Sequence, residues 1–244
     1  MAYILAINPG STSTKISLFD GAKEVFTKTL RHSAEEISKY ENVIDQFKFR
    51  EETIVKALED NGVKLEDIKV IVGRGGLLRP IPSGVYEVNE AMLKDLSSAC
   101  YGEHASNLGG IIANELASRI KGCKAYIADP VVVDELCDVA RIGGHPMFPR
   151  ISIFHALNHK AIAKMYAREI GKEYGDLNLV VVHMGGGVSV AAHSKGKVVD
   201  VNNALYGEGP FSPERTGGIA AMQLADACYS GKYTLAEMKK IISG

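Results

Sequence analysis

Two segments of the chain repeat the same order of apolar, polar and small residues. In residues 4–15 an apolar run is followed by Asn8, a turn of small residues and a second run suited to a strand. Residues 180–189 repeat this order around His183, and each copy then continues through a turn with Gly and Lys into a third β-branched run. Helical segments follow each copy. The pattern predicts a duplicated α/β architecture with mixed sheets, in which the second copy is the shorter.

The turn inside each copy is rich in glycine or serine and connects two strands. Backbone N–H groups in such a turn are not used by a neighbouring strand, so they can bind phosphate oxygens. Because neither turn opens a helix, neither is a Walker loop or a Rossmann turn. Two such turns could hold one polyphosphate between two domains, which indicates a phosphotransferase. The residues that we expect to bind phosphate are Asn8, Gly10, Ser11, Ser13, Lys15, His183, Gly185, Gly186 and Gly187.

Charge and composition exclude several classes of partner. The formal net charge of −1 gives no indication of a nucleic-acid or anionic-membrane partner. No apolar run approaches the roughly 20 residues of a membrane-spanning helix, and the N-terminus lacks the features of a signal peptide. The four cysteines have no metal-binding spacing, so we interpret them as reduced thiols. These observations predict a cytoplasmic protein.

Hydrophobic spacing and turn residues predict two domains. Residues 142–150 contain two Gly and two Pro and are the best candidate for a linker. We therefore predict an N-terminal domain over residues 1–148 and a second domain over residues 149–244, each with one phosphate turn. Residues 202–217 are predicted to form a long irregular loop, of a kind that is usually functional or disordered. Helices are predicted at residues 41–61, 89–96, 105–120, 153–170, 218–229 and 234–242, and strands at 3–8, 15–20, 23–30, 69–72, 125–128, 178–184, 188–193 and 197–201.

Five motifs in the same order along the chain resemble those of the acetate and butyrate kinase family. Three of them are closer to the butyrate kinases. The motifs are Asn8–Lys15, Gly73–Leu77, Ser152–His159, His183–Ser189 and Glu208–Gly218, and the resemblance extends over residues 1–244. It implies the α/β, two-domain, duplicated fold of sugar kinases, Hsp70 and actin, which is ribonuclease H-like, with ATP in the cleft.

The resemblance implies a short-chain fatty-acid kinase that converts butyrate and ATP into butyryl phosphate and ADP. An acetate kinase or a branched-chain (isobutyrate) kinase remains an alternative, because one methylene changes the free energy of binding in an apolar pocket by only about 1–3 kcal/mol. A non-catalytic, actin-like or Hsp70-like ATP-binding protein is the alternative from another class. The implied cofactors are ATP and Mg²⁺, and the implied partners are a small carboxylate and a nucleotide.

Arginines are the first candidates for catalysis, since phosphoryl transfer depends on alignment and on compensation of negative charge. Arg215 lies in the loop after the second turn and matches an arginine of the family beside the transferred phosphoryl group. Its alternative is a surface arginine paired with Glu214. Arg74 lies between glycines at a strand end, near the second catalytic arginine of the family, and Arg79 competes for that role.

Two histidines of the second half, His155 and His183, are candidates for contact with phosphate, and a third, His159, is not. His155 is predicted to begin a helix, where N–H groups favour anions, and it matches a family histidine that hydrogen-bonds the phosphoryl group. His159, one helical turn later, is predicted to be a polar core residue. His183 could contact phosphate or support the adjacent turn.

Two residues with side-chain oxygen atoms are predicted to lie near the metal. Asp129 matches a family aspartate near the acyl phosphate and Mg²⁺, and a turn or helix cap is its alternative. Asn8 can bind a carboxylate or a metal-bound water. His104 matches a histidine of the family's substrate site but could equally cap the helix that follows it.

Family members continue beyond the position that matches residue 244, and that part carries much of the adenosine pocket and a helix that returns to the first domain. The resemblance therefore predicts weak triphosphate binding and little kinase activity for the 244 residues without this part. It also predicts an exposed apolar strip on the first domain, and hence a homo-oligomer of two or more copies.

Overall fold

The structure, a computed structural model, describes residues 2–244, and its contacts divide the chain into two compact units. The first unit contains the residues up to Pro80 together with Gly84–Pro130. The second unit contains Ile81–Ser83 and Val131–Gly244. Each unit has its own sheet and its own helices.

The first unit begins with three antiparallel strands and continues with helices and further strands. Its strands are β1 (Tyr3–Pro9), β2 (Ser13–Asp20), β3 (Lys23–Arg31), β4 (Ile68–Arg74), β5 (Val85–Glu87) and β6 (Lys124–Ala128). Its helices are α1 (Ala34–Ile37), α2 (Phe47–Glu59), α3 (Glu90–Ser98) and α4 (Asn107–Ser118).

One six-stranded sheet forms the centre of the first unit, in the order β3-β2-β1-β4-β6-β5. Strands β1, β4 and β6 are parallel neighbours, whereas the other pairs are antiparallel. The carboxyl ends of the three parallel strands therefore meet at one edge of the sheet, the usual place for ligand-binding residues in α/β folds. The fully buried Leu5, Ile16 and Ile71 belong to the core of this sheet.

Helix α4 lies against β4 and β6, and glycines permit this close contact. A Cβ atom at Gly73 would collide with the backbone oxygen of Gly109, and one at Gly109 would collide with the backbone oxygen of Arg74. Two glycines facing each other thus bring the helix backbone directly against the end of β4. This contact supports the strand end that carries Arg74.

The second unit contains a three-stranded antiparallel sheet in the order β7-β8-β9. Its strands are β7 (Asn178–Met184), β8 (Val188–Ser194) and β9 (Lys197–Val201), and its helices are α5 (Ala156–Glu169), α6 (Ala221–Tyr229) and α7 (Leu235–Ser243). Ala163 and Ala167 of α5 pack in a small core with Leu179 and Val181 of β7. The repeated strand–turn–strand order of the sequence therefore corresponds to two antiparallel meanders, β1-β2-β3 and β7-β8-β9.

The division between the units falls after Pro130, earlier than the boundary predicted at residues 148–149. The intervening segment belongs to the second unit because it binds that unit's sheet. The Cys137 N–H donates to the carbonyl oxygen of Val199 at 3.0 Å, and Arg150 donates to that of Val201 at 3.0 Å. The predicted linker, residues 142–150, is accordingly a loop inside the second unit.

Exposed apolar side chains are concentrated in the second unit. Among residues 2–244, the large apolar side chains of the first unit with high exposure are Val25, Val85 and Tyr101. Four further exposed side chains, Val139, Ile142, Met147 and Phe148, fall within the first domain as predicted over residues 1–148, but they belong to the second unit of the structure. The apolar strip on the first domain stays a prediction. In the second unit, Val180, Val182 and Met184 are exposed together along alternate positions of β7. No helix within residues 2–244 has the length and apolar character needed to cross a membrane.

Candidate functional site

The first turn connects β1 to β2 and is closed by a short hydrogen bond. The Gly10 N–H donates to the carbonyl oxygen of Ser13 at 2.7 Å. The strand register places Asn8 opposite Lys15, and both of these residues are exposed. The predicted phosphate residues of this turn therefore lie side by side at the carboxyl end of β1, with a cationic side chain among them.

A buried arginine of helix α2 holds this turn from the protein interior. Arg50 is completely buried, and its guanidinium donates to the carbonyl oxygens of Gly10 at 2.8 Å, Ser11 at 3.1 Å and Ser13 at 3.2 Å. Gln46 accepts two further hydrogen bonds from it, at 2.8 and 3.1 Å. Burial lowers the pKa of Arg50 below its usual value. Since Arg50 binds the carbonyl groups of the turn, it fixes the backbone orientation on which any use of the N–H groups depends.

Thr14 and His32 extend this buried network. Arg50 donates to Thr14 Oγ1 at 3.1 Å, and the same hydroxyl is 2.9 Å from His32 Nε2. Burial and the adjacent Arg50 charge lower the pKa of His32. The Thr14 hydroxyl thus links the Arg50 guanidinium to the His32 ring.

The carboxyl ends of the three parallel strands bring Asn8, Arg74 and Asp129 to one edge of the first sheet. Ile7 is paired with Gly73, and Arg74 is paired with Ala128. Arg74 Nη1 donates to Asn8 Oδ1 at 3.3 Å. Burial lowers the pKa of Arg74 below its usual value.

Asp129 follows β6 in a left-handed backbone conformation, with φ of +37°. Its Oδ1 accepts a hydrogen bond from the Gly84 N–H at 2.9 Å, and its own N–H donates to the carbonyl oxygen of Gly84 at 2.9 Å. The turn role considered for Asp129 is thus present in the structure. The predicted metal role of Asp129 stays a prediction.

The structure distinguishes the two arginines that compete for the second catalytic position. Arg79 forms a bidentate ion pair with Asp95, with Nε–Oδ2 of 2.7 Å and Nη2–Oδ1 of 2.9 Å. The Arg79 hydrogen bonds lower the pKa of Asp95. Because its guanidinium is engaged in this pair, Arg79 is the weaker candidate, and Arg74 remains the stronger one.

His104 lies just before helix α4, and its ring bonds the N-cap residue, Ser106. Nδ1 accepts from the Ser106 N–H at 3.1 Å and lies 2.8 Å from Ser106 Oγ. The ring therefore holds the segment that leads into α4 without capping its first turn, and the predicted role of His104 in substrate binding stays a prediction.

The second turn connects β7 to β8 and is covered by the loop that follows β9. The Gly185 N–H donates to the carbonyl oxygen of Gly187 at 3.1 Å. The carbonyl oxygen of Gly186 accepts from Ser212 Oγ at 2.5 Å and from the Glu214 N–H at 3.2 Å. A Cβ atom at Gly186 would lie 2.6 Å from the Glu214 carboxylate. The loop of the Glu208–Gly218 motif thus packs directly on the glycines.

Arg215 lies in this loop with 17% of its side chain exposed. Nη1 donates to the carbonyl oxygen of Glu214 at 2.9 Å and is 3.4 Å from the Glu214 carboxylate. The pairing with Glu214 that was considered as the alternative is present, but Arg215 is largely buried whereas Glu214 is not. Arg215 Nε is buried and has no hydrogen-bond partner within the described residues, which leaves one donor of the fork unused.

His155 and His183 stack beside the second turn. Their ring centroids are 3.7 Å apart with an angle of 6° between the planes. His155 is the N-cap residue of α5, and its Cε1–Nε2 edge faces Gly187, where an added Cβ atom would be 3.6–3.8 Å from the ring. His183 Nδ1 lies 2.9 Å from Asn158 Nδ2. The structure therefore brings together His155, His183 and the three glycines.

A chain of buried polar side chains continues from His155 into the core of the second unit. Ser189 Oγ is 2.9 Å from His155 Nδ1 and 2.8 Å from His159 Nε2. His159 Nδ1 is 3.4 Å from His193 Nε2, and His193 Nδ1 is 2.7 Å from the Tyr174 hydroxyl. The core role predicted for His159 is confirmed, since this residue is completely buried.

The buried imidazoles of this chain are neutral. Burial and the neighbouring imidazoles of His193 and His183 lower the pKa of His159 to about 4. Burial and the Lys160 charge lower the pKa of His193 to about 4, against the opposite effect of Glu135. Lys160 is itself buried and forms an ion pair with Glu135 at 2.8 Å.

Several residues of the site were not found by sequence reasoning. Arg50 is on the apolar stripe of α2, three residues after Phe47 and four before Ile54, so a charge among core positions was the available signal. Ser189 and His193 alternate with Ala191 on the buried face of β8. Polar residues at buried strand positions were the corresponding signal there.

The donors present fit a magnesium ion better than a metal held by a protein cage. Within residues 2–244 there is no group of three or more His, Cys, Asp or Glu side chains that could hold a metal. Mg²⁺ usually binds through one or two carboxylates, waters and substrate phosphates, so it needs no such group. Asp129 and the Asn8 amide oxygen are suitable donors for that mode of binding.

Comparisons of the sequence identify the family. A model of the Acetokinase family matches residues 150–214. The whole chain is 59% identical to Butyrate kinase 1 of Clostridium acetobutylicum and covers 68% of that protein. It is 54% identical over 99% of its length to the Probable butyrate kinase of Bacteroides thetaiotaomicron, of which it also covers 68%. The chain belongs to the acetokinase family, and within it to the butyrate kinases.

Solved structures of the family share the fold. The acetate kinase of Porphyromonas gingivalis matches 100% of the chain with a TM-score of 0.74 and 18% identity, and the chain covers 68% of it. A propionate kinase of Francisella tularensis matches with a TM-score of 0.69 and 17% identity, over 100% of the chain and 69% of the kinase. The predicted fold class, the duplicated α/β fold of the actin-like kinases, is confirmed.

Proposed function

We propose that this chain catalyses the ATP-dependent phosphorylation of butyrate to butyryl phosphate. The observation that carries the proposal is the 59% identity to Butyrate kinase 1 over the complete length of the chain. The geometry supports a phosphotransferase, because each unit presents a Gly- or Ser-rich turn with functional side chains beside it. We further propose that the protein is cytoplasmic, forms a homo-oligomer and acts on small molecules alone.

In the first unit, the edge with Asn8, Arg74 and Asp129 is proposed to bind phosphoryl oxygens and the metal. Asn8 and Asp129 would hold Mg²⁺, which would neutralise part of the phosphate charge. Arg74 adds a second cationic group, and its hydrogen bond to Asn8 orients the amide oxygen. The turn at Gly10, Ser11 and Ser13, which the Gly10 N–H closes by its bond to Ser13, would meet the nucleotide phosphates with the polar groups of Ser11 and Ser13, and Lys15 beside it adds a positive charge.

In the second unit, His155 and Arg215 are proposed to stabilise the transferred phosphoryl group. A carboxylate oxygen of butyrate forms the new bond to the γ-phosphorus, and the bond to the ADP oxygen breaks. Charge on the phosphoryl oxygens must be met by fixed donors. His155 offers a ring N–H beside the turn of Gly185, Gly186 and Gly187, and Arg215 offers a planar fork.

Replacement of Arg215 tests the proposal. The kinetics are measured on a chimera in which the part of Butyrate kinase 1 outside the alignment is joined to the chain. Arg215→Ala should lower kcat by about 10³-fold or more with a smaller change in KM for butyrate, as for arginines in comparable phosphoryl transfers. Arg215→Lys should restore little, because an ammonium group lacks the bidentate fork.

The matched control is Arg168→Ala, which removes an exposed arginine at the end of α5. This variant should keep the kcat of the parent. An Arg215→Ala variant with near-parental kcat would assign Arg215 to a structural role in its loop.

A further inference from the structure

The hydrogen-bond chain behind His155 connects its ring to a phenol in the core. The chain runs from Tyr174 through His193, His159 and Ser189 to His155 within one unit of the protein. Tyr174, His159, Ser189 and His193 are all at least nine-tenths buried, and His155 is half-buried. Each buried polar group needs a hydrogen-bond partner, and these side chains find their partners in one another. Their orientations are therefore fixed more narrowly than apolar packing alone would fix them.

Each member of the chain has one hydrogen to give, so a continuous chain, in which every member both donates and accepts once, can run in only two directions. A neutral imidazole carries a hydrogen on one ring nitrogen and a lone pair on the other. The Ser189 hydroxyl has a single hydrogen, which it can give to only one of its two histidine neighbours. His159 and His193 are held neutral by burial, with pKa values of about 4, so neither donates from both nitrogens at neutral pH.

The Tyr174 end sets the direction. The phenol oxygen and His193 Nδ1 are 2.7 Å apart, which is the distance of a hydrogen bond in either direction. A phenol is a stronger donor than an imidazole N–H, and an imidazole nitrogen is a stronger acceptor than a phenol oxygen. Tyr174 therefore donates to His193 Nδ1. His193 Nε2–H then donates to His159 Nδ1, His159 Nε2–H donates to Ser189 Oγ, and the Ser189 hydroxyl donates to His155 Nδ1.

We propose that Tyr174, His193, His159 and Ser189 are positioning residues that fix the His155 hydrogen on Nε2, the ring edge beside Gly187. In this state His155 is a donor toward an acceptor such as a phosphoryl oxygen. The reversed chain would place the hydrogen on Nδ1 of all three histidines and would make His155 Nε2 an acceptor. The inference deepens the proposed function, because it rests on His155 acting there as a donor to phosphate.

The buried ion pair of Lys160 and Glu135 adjoins the inner end of the chain. Lys160 lies 6.0 Å above the Tyr174 ring and also donates to the carbonyl oxygen of Gly196 at 3.2 Å. Glu135 accepts from the Val198 N–H at 2.8 Å as well. Lys160 acts against protonation of His193, and His183 acts against protonation of His159.

The tautomers can be read directly by long-range ¹H–¹⁵N spectra of the ring nitrogens in the 244-residue chain at neutral pH. Protonated and unprotonated ring nitrogens have well-separated ¹⁵N shifts, and single histidine variants assign the signals. The proposal expects the Nε2–H form for His155, His159 and His193 together. The Nδ1–H form at His155, or mixed forms along the chain, would overturn it.

Two variants test the coupling. Tyr174→Phe keeps the ring and removes the hydroxyl, so His193 and His159 should lose the pure Nε2–H form, and His155 should lose it with them. Ser189→Ala interrupts the chain nearer its end, so His155 alone should become mixed while His193 keeps its form. The control Tyr166→Phe, at an exposed position of α5, should change none of these signals. Unchanged tautomers in both variants would refute the relay.

These spectra do not depend on catalysis. If the three histidines have the expected tautomers but the chimera forms no acyl phosphate, the hydrogen-bond relay is supported and the proposed function is refuted. If the chimera forms acyl phosphate but His155 carries its hydrogen on Nδ1, the proposed function is supported and the relay is refuted.

Discussion

At the scale of single residues, buried charged and polar groups organise both turns. Arg50 binds the carbonyl oxygens of the first turn, and the histidine chain supports the ring beside the second turn. In both cases a side chain in the core holds a backbone or a ring that has a functional role in the proposal. These inner residues are as necessary as the exposed ones, because an unpaired buried polar group is costly.

Replacement of Arg50 should therefore destabilise the protein. Arg50→Met leaves the carbonyl oxygens of the first turn without their donor and leaves the buried Gln46 and Thr14 without their partner. Each buried polar group left unpaired costs about 1–3 kcal/mol. We expect the free energy of unfolding in urea to decrease by roughly 3 kcal/mol or more. Lys56→Met, on the exposed side of the same helix, is the control and should change it by less than about 0.5 kcal/mol. Equal stability of the two variants would contradict the role of Arg50.

The buried histidines should make the stability depend on pH. In the unfolded chain an imidazole takes up a proton near pH 6.5, whereas His159 and His193 in the folded protein do so only near pH 4. The unfolded state thus binds more protons between these values, and the free energy of unfolding should fall as the pH decreases from 6.5 to 4. The expected loss is up to about 3 kcal/mol for one such histidine.

Urea unfolding at pH 7, 5.5 and 4.5 measures this dependence. His193→Gln removes one of the buried imidazoles that titrate, so its stability should fall less steeply over the same range. His145→Gln, at an exposed loop position, should follow the slope of the parent. If His193→Gln and the parent show the same slope, His193 is not a buried neutral imidazole.

At the scale of the elements, close packing of α4 on β4 fixes the strand end that carries Arg74. Gly109→Ala should push the helix away from β4, because the new Cβ atom would meet the backbone of Arg74. We expect a loss of about 1–3 kcal/mol, as for overpacking in a core, although alanine is the better helix former. Thermal or urea unfolding measures the change.

The neighbouring Gly110→Ala is the matched control, since it has the same gain in helix propensity. Its Cβ atom would meet only the Leu96 and Ile127 side chains, at 3.1 and 3.3 Å, and these can shift. Gly110→Ala should therefore cost clearly less than Gly109→Ala. The opposite order would show that backbone contact does not limit the position of α4.

Strands and helices could be predicted from the sequence where apolar residues recur at the spacing of a strand or a helix. The three strands of the second sheet were predicted within one residue of their observed ends, and the Asn89 cap of α3 is confirmed by its hydrogen bond from the Met92 N–H. β5 was not predicted, because it has only three residues after a proline-rich loop, and these are too few to show an alternating apolar pattern. The observed boundary between the units differs from the predicted one. The segment after Pro130 is irregular, but it binds β9 through backbone contacts, and such contacts cannot be recognised from composition.

The candidate site was predictable only in part. Glycine turns, strand-end polar residues and family motifs indicated its outer residues. The inner residues depend on contacts between distant segments: Arg50 meets the first turn some 40 positions away, and Tyr174 meets His193 across a strand. A local sequence pattern cannot indicate which distant segment such a core side chain contacts.

At the scale of the whole molecule, the duplicated fold gives each unit one turn and one set of polar side chains. The first unit contributes Asn8, Arg74 and Asp129, and the second contributes His155, His183 and Arg215. In our proposal both sets serve a single reaction, the transfer of a phosphoryl group to a carboxylate.

Trapping of the acyl phosphate by hydroxylamine is the most direct test. The chimera is incubated with ATP, Mg²⁺, hydroxylamine and straight-chain acids of two to five carbons, and the hydroxamate is measured. The account predicts ATP-dependent hydroxamate with butyrate as the preferred acid, and its loss in Arg215→Ala. Release of ADP without hydroxamate from any of the acids would contradict it, and would identify an ATP-binding protein that does not phosphorylate carboxylates.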